Sequence, residues 1–153
     1  MRKFFCDFGK ATQADSKIIR ELLEDNGLPS DDYEDHIESF IVVKEGGKVI
    51  GIGGLEKCGA ATGLVRSIVV VPGHRGKGVA NEIYMLIEDK AHNLGIKTLY
   101  LLTESATEYF KKLGFEIVER IEVPESVKKT KQFRDLCPVS AAVMFRDISK
   151  RSW

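Results

Sequence analysis

Val69-Val70-Val71-Pro72-Gly73-His74-Arg75-Gly76-Lys77-Gly78-Val79-Ala80 joins an apolar strand to the longest helical pattern in the chain. Pro72-Gly73 ends the strand, since proline has no N–H to give a ladder and glycine relaxes the backbone. Gly76 and Gly78 lack a Cβ, so the main chain can come close to a ligand there. The first turn of the helix exposes N–H donors with no acceptor inside the helix, at the positive end of its dipole. Arg75 and Lys77 add mobile positive charge. Strand, glycine turn and helix together predict a site for a phosphate or pyrophosphate. The competing reading is a helix start whose glycines serve packing and whose cations serve solubility; Arg75, Lys77 and the strand-turn-helix context weigh against it.

Two phosphate motifs fail on this turn. A P-loop needs a glycine where Val71 stands and Ser or Thr where Gly78 stands. The dinucleotide fingerprint would need Gly or Ala where Asn81 stands. The strand is also mid-chain and belongs to a mixed sheet, unlike the first strand of that fold.

Outward from the turn, Val79, Ile83, Leu86, Ile87, Ala91 and Leu94 recur at steps of three and four, so one face of a helix over about 76–94 is apolar and Gly95 ends it. Leu64–Val71 before it and Thr98–Leu102 after it read as strands. A helix of that length between two strands predicts a parallel pair with a right-handed crossover.

Nearer the N-terminus, Phe40–Lys44 and Lys48–Leu55 flank Gly46-Gly47, a hairpin signal. Phe4–Phe8 reads as a first strand. Thr12 is the N-cap of a helix whose stripe is Ile18, Ile19, Leu22 and Leu23, stopped by Gly27 and Pro29, and Ser30 opens a second short helix.

On the C-terminal side, Ser105-Ala106-Thr107-Glu108 reads as a capping box opening a short helix that ends at Gly114. Phe115–Arg120 and Ala141–Phe145 are the remaining strands. The expected class is α/β, in the α+β sense of one mixed sheet flanked by helices.

A chain of 153 residues fits a single domain, 1–153. Lys plus Arg and Asp plus Glu number 23 each, so the net charge is zero, which argues against nucleic acid or an anionic membrane as the main partner. No apolar run reaches the ~18 residues of a membrane-spanning helix. Asp7 interrupts the N-terminal apolar stretch, so no export signal is read. Cys6, Cys58 and Cys137 lie far apart with no CxxC, and His36, His74 and His92 have no ligand spacing. No metal site is expected, and a reducing cytoplasm is the default.

Arg75-x-x-Gly78-x-Ala80 resembles the R/Q-x-x-G-x-G/A signature of the GNAT superfamily of acyl-CoA-dependent N-acyltransferases, and the order of elements resembles it along nearly the whole chain. Leu64-Val65-Arg66-Ser67, Leu99–Thr103 and Phe133–Ala141 resemble a subgroup of arsenic-resistance N-acetyltransferases and short N-acetylglutamate-synthase-like enzymes. The resemblance implies a GNAT-like fold. It also implies acetyl transfer from acetyl-CoA to the amino group of a small anionic amino acid or analogue, of the glutamate, phosphinothricin or arsinothricin type. Transfer would be direct, in a ternary complex.

On that reading the backbone amides of Gly76, Lys77, Gly78, Val79 and Ala80 hold the CoA pyrophosphate, with Arg75 and Lys77 screening its charge. The pantetheine arm lies along Ile68, Val69, Val70 and Val71, and the Val69 N–H is a candidate donor to the oxyanion on the thioester carbonyl. Phe110 lies beside the acyl-CoA arm. Arg66, Ser67, Thr103 and Cys137 fall in the acceptor site.

An amine arrives protonated, a lysine side chain having a pKa of about 10.4, so a base is needed. Glu56 or a relayed water are the candidates, and a solvated turn carboxylate is the competing reading of Glu56. Many family members donate a proton to the leaving thiolate from a Tyr at the position of Phe110; here Tyr109 is the neighbour, about 100° around the helix. Arg66, a cation in an otherwise apolar strand, suits a carboxylate, phosphinate or arsonate, or else a cross-strand ion pair. Two other readings stand beside this one. The first is an acyl-CoA-binding regulatory module with little turnover, favoured by Phe110. The second is a transferase acting on a protein N-terminus or lysine. Trp153 leaves a homodimer open.

Overall fold

The computed structural model describes residues 7–28, 37, 39–130, 133–134 and 140–149. The short helix expected from Ser30, and Cys137, lie outside them. Among the described residues seven strands form one mixed sheet: β1 (Asp7–Lys10), β2 (Phe40–Glu45), β3 (Lys48–Lys57), β4 (Thr62–Val70), β5 (Thr98–Thr103), β6 (Glu116–Val118) and β7 (Ala142–Asp147), in the order β1-β2-β3-β4-β5-β7-β6. The main helices are α1 (Ser16–Asp25), α2 (Val79–Asn93), α3 (Thr107–Lys112) and α4 (Glu125–Lys128).

The expected strand-helix-strand segment is β4-α2-β5. Its strands are parallel, with Thr62, Gly63 and Leu64 opposite Thr98, Leu99 and Tyr100. Every other registered pair is antiparallel. The hairpin joining β2 to β3 turns at Gly46 and Gly47, both at positive φ (58° and 81°), as a two-residue turn matched to strand twist requires.

The chain divides into two compact units. In the first, residues up to Gly54 with Ser67–Ile87, the buried stripe Ile19, Leu22 and Leu23 of α1 joins Phe40, Val42, Ile52 and Val69 in one core. Thr12 caps the entry to α1 through a 3-10 turn: its N–H donates to Asp15 Oδ2 at 2.9 Å. On β3, a Cβ at Gly51 or Gly53 would run into Ile83 of α2, so these two glycines form a flat seat for that helix.

In the second unit, Leu55–Arg66 with residues from Glu88 on, Leu64, Val123, Val127 and Val143 form the core, backed by Tyr100, Leu102 and Phe133. Here the capping expectation fails. The N-cap of α3 is Ala106, without a side-chain cap, and its N–H donates to Thr103 Oγ1 at 3.0 Å. The threonine that ends β5 takes the part assigned to Ser105.

Candidate functional site

The glycine turn belongs to the first unit. The Val71 N–H donates to Ile50 C=O at 2.9 Å, which holds the end of β4 against β3. The His74 N–H then donates to Val71 C=O at 3.1 Å, a tight turn, and the His74 ring lies 3.3 Å from Glu45 Oε1. Gly73, Gly76 and Gly78 all take positive φ (93°, 76° and 86°), a region that strains residues bearing a Cβ. Nothing stands within 4 Å of where a Cβ at Gly76 or Gly78 would be, so the turn is open on that side. The Glu82 N–H donates to Gly78 C=O at 3.1 Å, which makes Gly78 the half-in residue before α2. The amides just after it therefore find no acceptor along the helix and sit at its positive pole.

Val79 is buried and Lys77 is exposed. Arg75 departs from the expectation of a mobile cation. Its Nε–H donates to Val70 C=O at 2.8 Å and its Nη2 to Asn26 Oδ1 at 3.3 Å. Asn26 in turn donates from Nδ2 to Leu22 C=O at 2.8 Å, at the end of α1.

The strand before the turn has a defined hydrogen-bonding phase. The Val69 carbonyl lies close to Gly51 of β3, and the Val71 N–H bonds β3 as well. Backbone groups of alternate strand residues point to opposite edges. Val69 therefore spends its pair on β3, and Val70 is the residue whose N–H and C=O address the other edge. Strand alternation also breaks at Ser67, a non-glycine residue at φ 61°. The expected sharing of a face by Arg66, Ile68 and Val70 therefore does not hold, since a left-handed residue resets the period of two.

In the second unit, Arg66 and Glu56 form a buried ion pair. Arg66 Nη1 lies 3.9 Å from Glu56 Oε1, with side chains 1% and 13% exposed. Two residues assigned separately on sequence, one to acceptor binding and one to the base, are thus a single charged unit. The turn beyond Glu56 closes with the Cys58 N–H donating to Thr62 C=O at 3.0 Å. Burial, and then the Glu56 charge, push the Cys58 thiol up to about 12, so it is a protonated thiol and no nucleophile.

Also in that unit, the Tyr109 ring stands edge-on to Phe110 at 5.2 Å, and Phe110 edge-on to Phe115 at 5.7 Å. Burial raises the Tyr109 hydroxyl above its ordinary value, so it keeps its proton at neutral pH. Thr103 faces the start of α3 and accepts the Ala106 N–H there. Among the described residues no group of three His, Cys, Asp or Glu could hold a metal ion, and no helix is long and apolar enough to cross a membrane.

Residues 8–115 match the acetyltransferase (GNAT) family. An amino-acid acetyltransferase of Neisseria meningitidis serogroup A is 30% identical over 116 residues, 73% of this chain and 27% of that protein. This chain thus spans little more than a quarter of that curated relative. Among solved structures, N-acetylglutamate synthase from Neisseria gonorrhoeae complexed with coenzyme A and N-acetyl-glutamate superposes with a TM-score of 0.83 at 24% identity, over 97% of this chain and 36% of that one. Rv2747 from Mycobacterium tuberculosis, in complex with CoA and NLQ, superposes with a TM-score of 0.79 at 21% identity, over 93% of this chain and 99% of that one. Both likenesses are of fold.

Proposed function

Since the chain belongs to the acetyltransferase (GNAT) family, we propose that it transfers the acetyl group of acetyl-CoA to the amino group of a small anionic amino acid. The observation that carries this reading is the glycine turn, with three positive-φ glycines leading into the N-terminus of α2. Its amides suit a pyrophosphate, and a relative 30% identical is an amino-acid acetyltransferase.

The chemistry needs few groups. The acceptor ammonium loses a proton to Glu56, directly or through water. The neutral nitrogen attacks the thioester carbonyl carbon, forming the C–N bond and a transient oxyanion, to which Val70 N–H, on the strand edge away from β3, is the candidate donor. The nitrogen gives up its second proton to water, the C–S bond breaks, and CoA leaves as a thiolate. With a reference thiol pKa of about 8.5, that thiolate leaves with little help and takes its proton from water or Tyr109. Acetyl-CoA is a co-substrate, and no step calls for a metal. Bringing the two reactants together supplies much of the rate.

The test is release of free CoA thiol from acetyl-CoA across a panel of amines that includes glutamate and phosphinothricin. Acceptor-dependent release supports transfer. Tight acetyl-CoA binding with no release from any acceptor would leave a CoA-binding module instead, the reading that Phe110 at the usual tyrosine position favours.

A further inference from the structure

We propose that Glu45 is a positioning residue for the acetyl-CoA turn, acting through the His74 ring. Glu45 Oε1 lies 3.3 Å from His74 Nε2. A carboxylate only accepts, so the proton of that contact sits on Nε2. For charge alone, an acid beside this turn would repel a pyrophosphate and weaken the site. The contact with His74 gives the acid a different use. Glu45 is the last residue of β2, opposite Lys48 across the Gly46-Gly47 hairpin, so it stands on a framework held by strand pairing. His74 lies in the turn itself, after Gly73 and before Gly76, which take φ of 93° and 76°.

The ring positions the turn and does not itself meet the ligand. Nε2 is engaged with Glu45, and Nδ1 is buried with no hydrogen bond among the described residues. Neither nitrogen is presented to a phosphate. The next residue is tied in the same manner. Arg75 Nε–H donates to Val70 C=O, its Nη2 donates to Asn26 Oδ1, and Asn26 Nδ2 donates to Leu22 C=O. Two adjacent side chains thus fasten the turn to β2, to the end of β4 and to the end of α1. Exposed contacts of this kind add little to global stability. Their effect falls on the segment between the glycines. Untied, that segment would be ordered by the ligand, and the ordering would be subtracted from affinity.

The proposal rests on the reading of this turn as the acetyl-CoA site and deepens it. Calorimetry with acetyl-CoA on the full chain, with thermal melting of the unliganded protein alongside, tests it. Charge and positioning predict opposite signs for Glu45→Ala. Loss of a negative charge beside a pyrophosphate should tighten binding, most of all at low salt. Loss of an anchor should weaken it, and the expected result is a roughly three- to tenfold loss of affinity. Glu45→Gln keeps an accepting oxygen and removes the charge, so it is expected to bind at least as tightly as the unaltered protein. His74→Phe should match Glu45→Ala, and His74→Gln, which restores a donor, should recover most of the loss. The double variant Glu45→Ala/His74→Phe should lie within about twofold of either single variant, since all three remove one and the same contact.

Unchanged or tighter acetyl-CoA binding by Glu45→Ala would overturn the proposal. So would additive losses in the double variant, or a lowered melting temperature with affinity intact, which would make the contact structural only. Should Glu45→Ala fail to fold, His74→Phe and His74→Gln make the same comparison of a lost and a restored anchor. Gly78→Glu separates this proposal from the reading beneath it. If that variant loses acetyl-CoA while Glu45→Ala and His74→Phe bind at full strength, the positioning role alone fails. If Gly78→Glu binds at full strength, the turn is not the site and both fail.

Discussion

Arg75 Nε–H donates to the Val70 carbonyl at 2.8 Å, and through that bond the cation of the glycine turn is fastened to the strand it follows. Its Nη2 also reaches Asn26 at the end of α1. An arginine that reads as a free phosphate partner is therefore first a brace.

Arg75→Ala should lower stability as well as cofactor affinity. Losing a hydrogen bond from a charged donor costs about 1.5–3 kcal/mol. Arg75→Lys keeps the charge but not the two-ended geometry, so it should lose most of that stability while keeping more of the acetyl-CoA affinity. Thermal melting, with and without acetyl-CoA, distinguishes the two contributions; equal melting of all three proteins would remove the brace.

Gly78→Glu places a strained side chain and a negative charge at the helix start, where φ is 86°. Acetyl-CoA binding should fall below detection by calorimetry. Gly78→Ala, which brings the strain alone, should cost about 1–2 kcal/mol of stability and a smaller part of the affinity. Full affinity in Gly78→Glu would move the pyrophosphate elsewhere.

Gly53→Ala drives a methyl group into Ile83 and Ile87 of α2. Overpacking of this kind costs about 1–3 kcal/mol. Shortening the neighbour, in Gly53→Ala/Ile83→Val, should recover part of the loss in a denaturant midpoint. A Gly53→Ala midpoint equal to that of the unaltered protein would contradict the flat seat.

Asp15 ties acid stability to the entry of α1. Burial pushes its carboxyl up, but the Thr12 N–H bond, the Lys44 ammonium 3.0 Å away and the Thr12 hydroxyl outweigh burial and hold it below its ordinary value of 3.8. A carboxyl lowered on folding stabilises above its unfolded pKa, and that stability is lost as pH falls through the folded one. Asp15→Asn should therefore cost more stability at pH 7 than at pH 2.5. A constant difference in denaturation free energy across that range would refute the link.

The sequence alone determined the turn at 71–80, the helix after it, the parallel strands on either side, the Gly46-Gly47 hairpin and the stripe of α1. Each is written in a few consecutive residues, as a period, a glycine that must take positive φ, or a proline that cannot donate. Tertiary structure decided what those residues face. Glu56 and Arg66 meet because two strands are brought together across the turn at 58–61, and no local pattern records that meeting. Gly51 and Gly53 are glycine because α2 rests on them. Val69 and Val71 face β3 because hydrogen bonds to that strand set the phase of β4, and Ser67 resets its alternation. Local conformation follows from short-range sterics and hydrogen bonding, whereas partners are chosen by register between distant segments, which the linear order of residues does not contain.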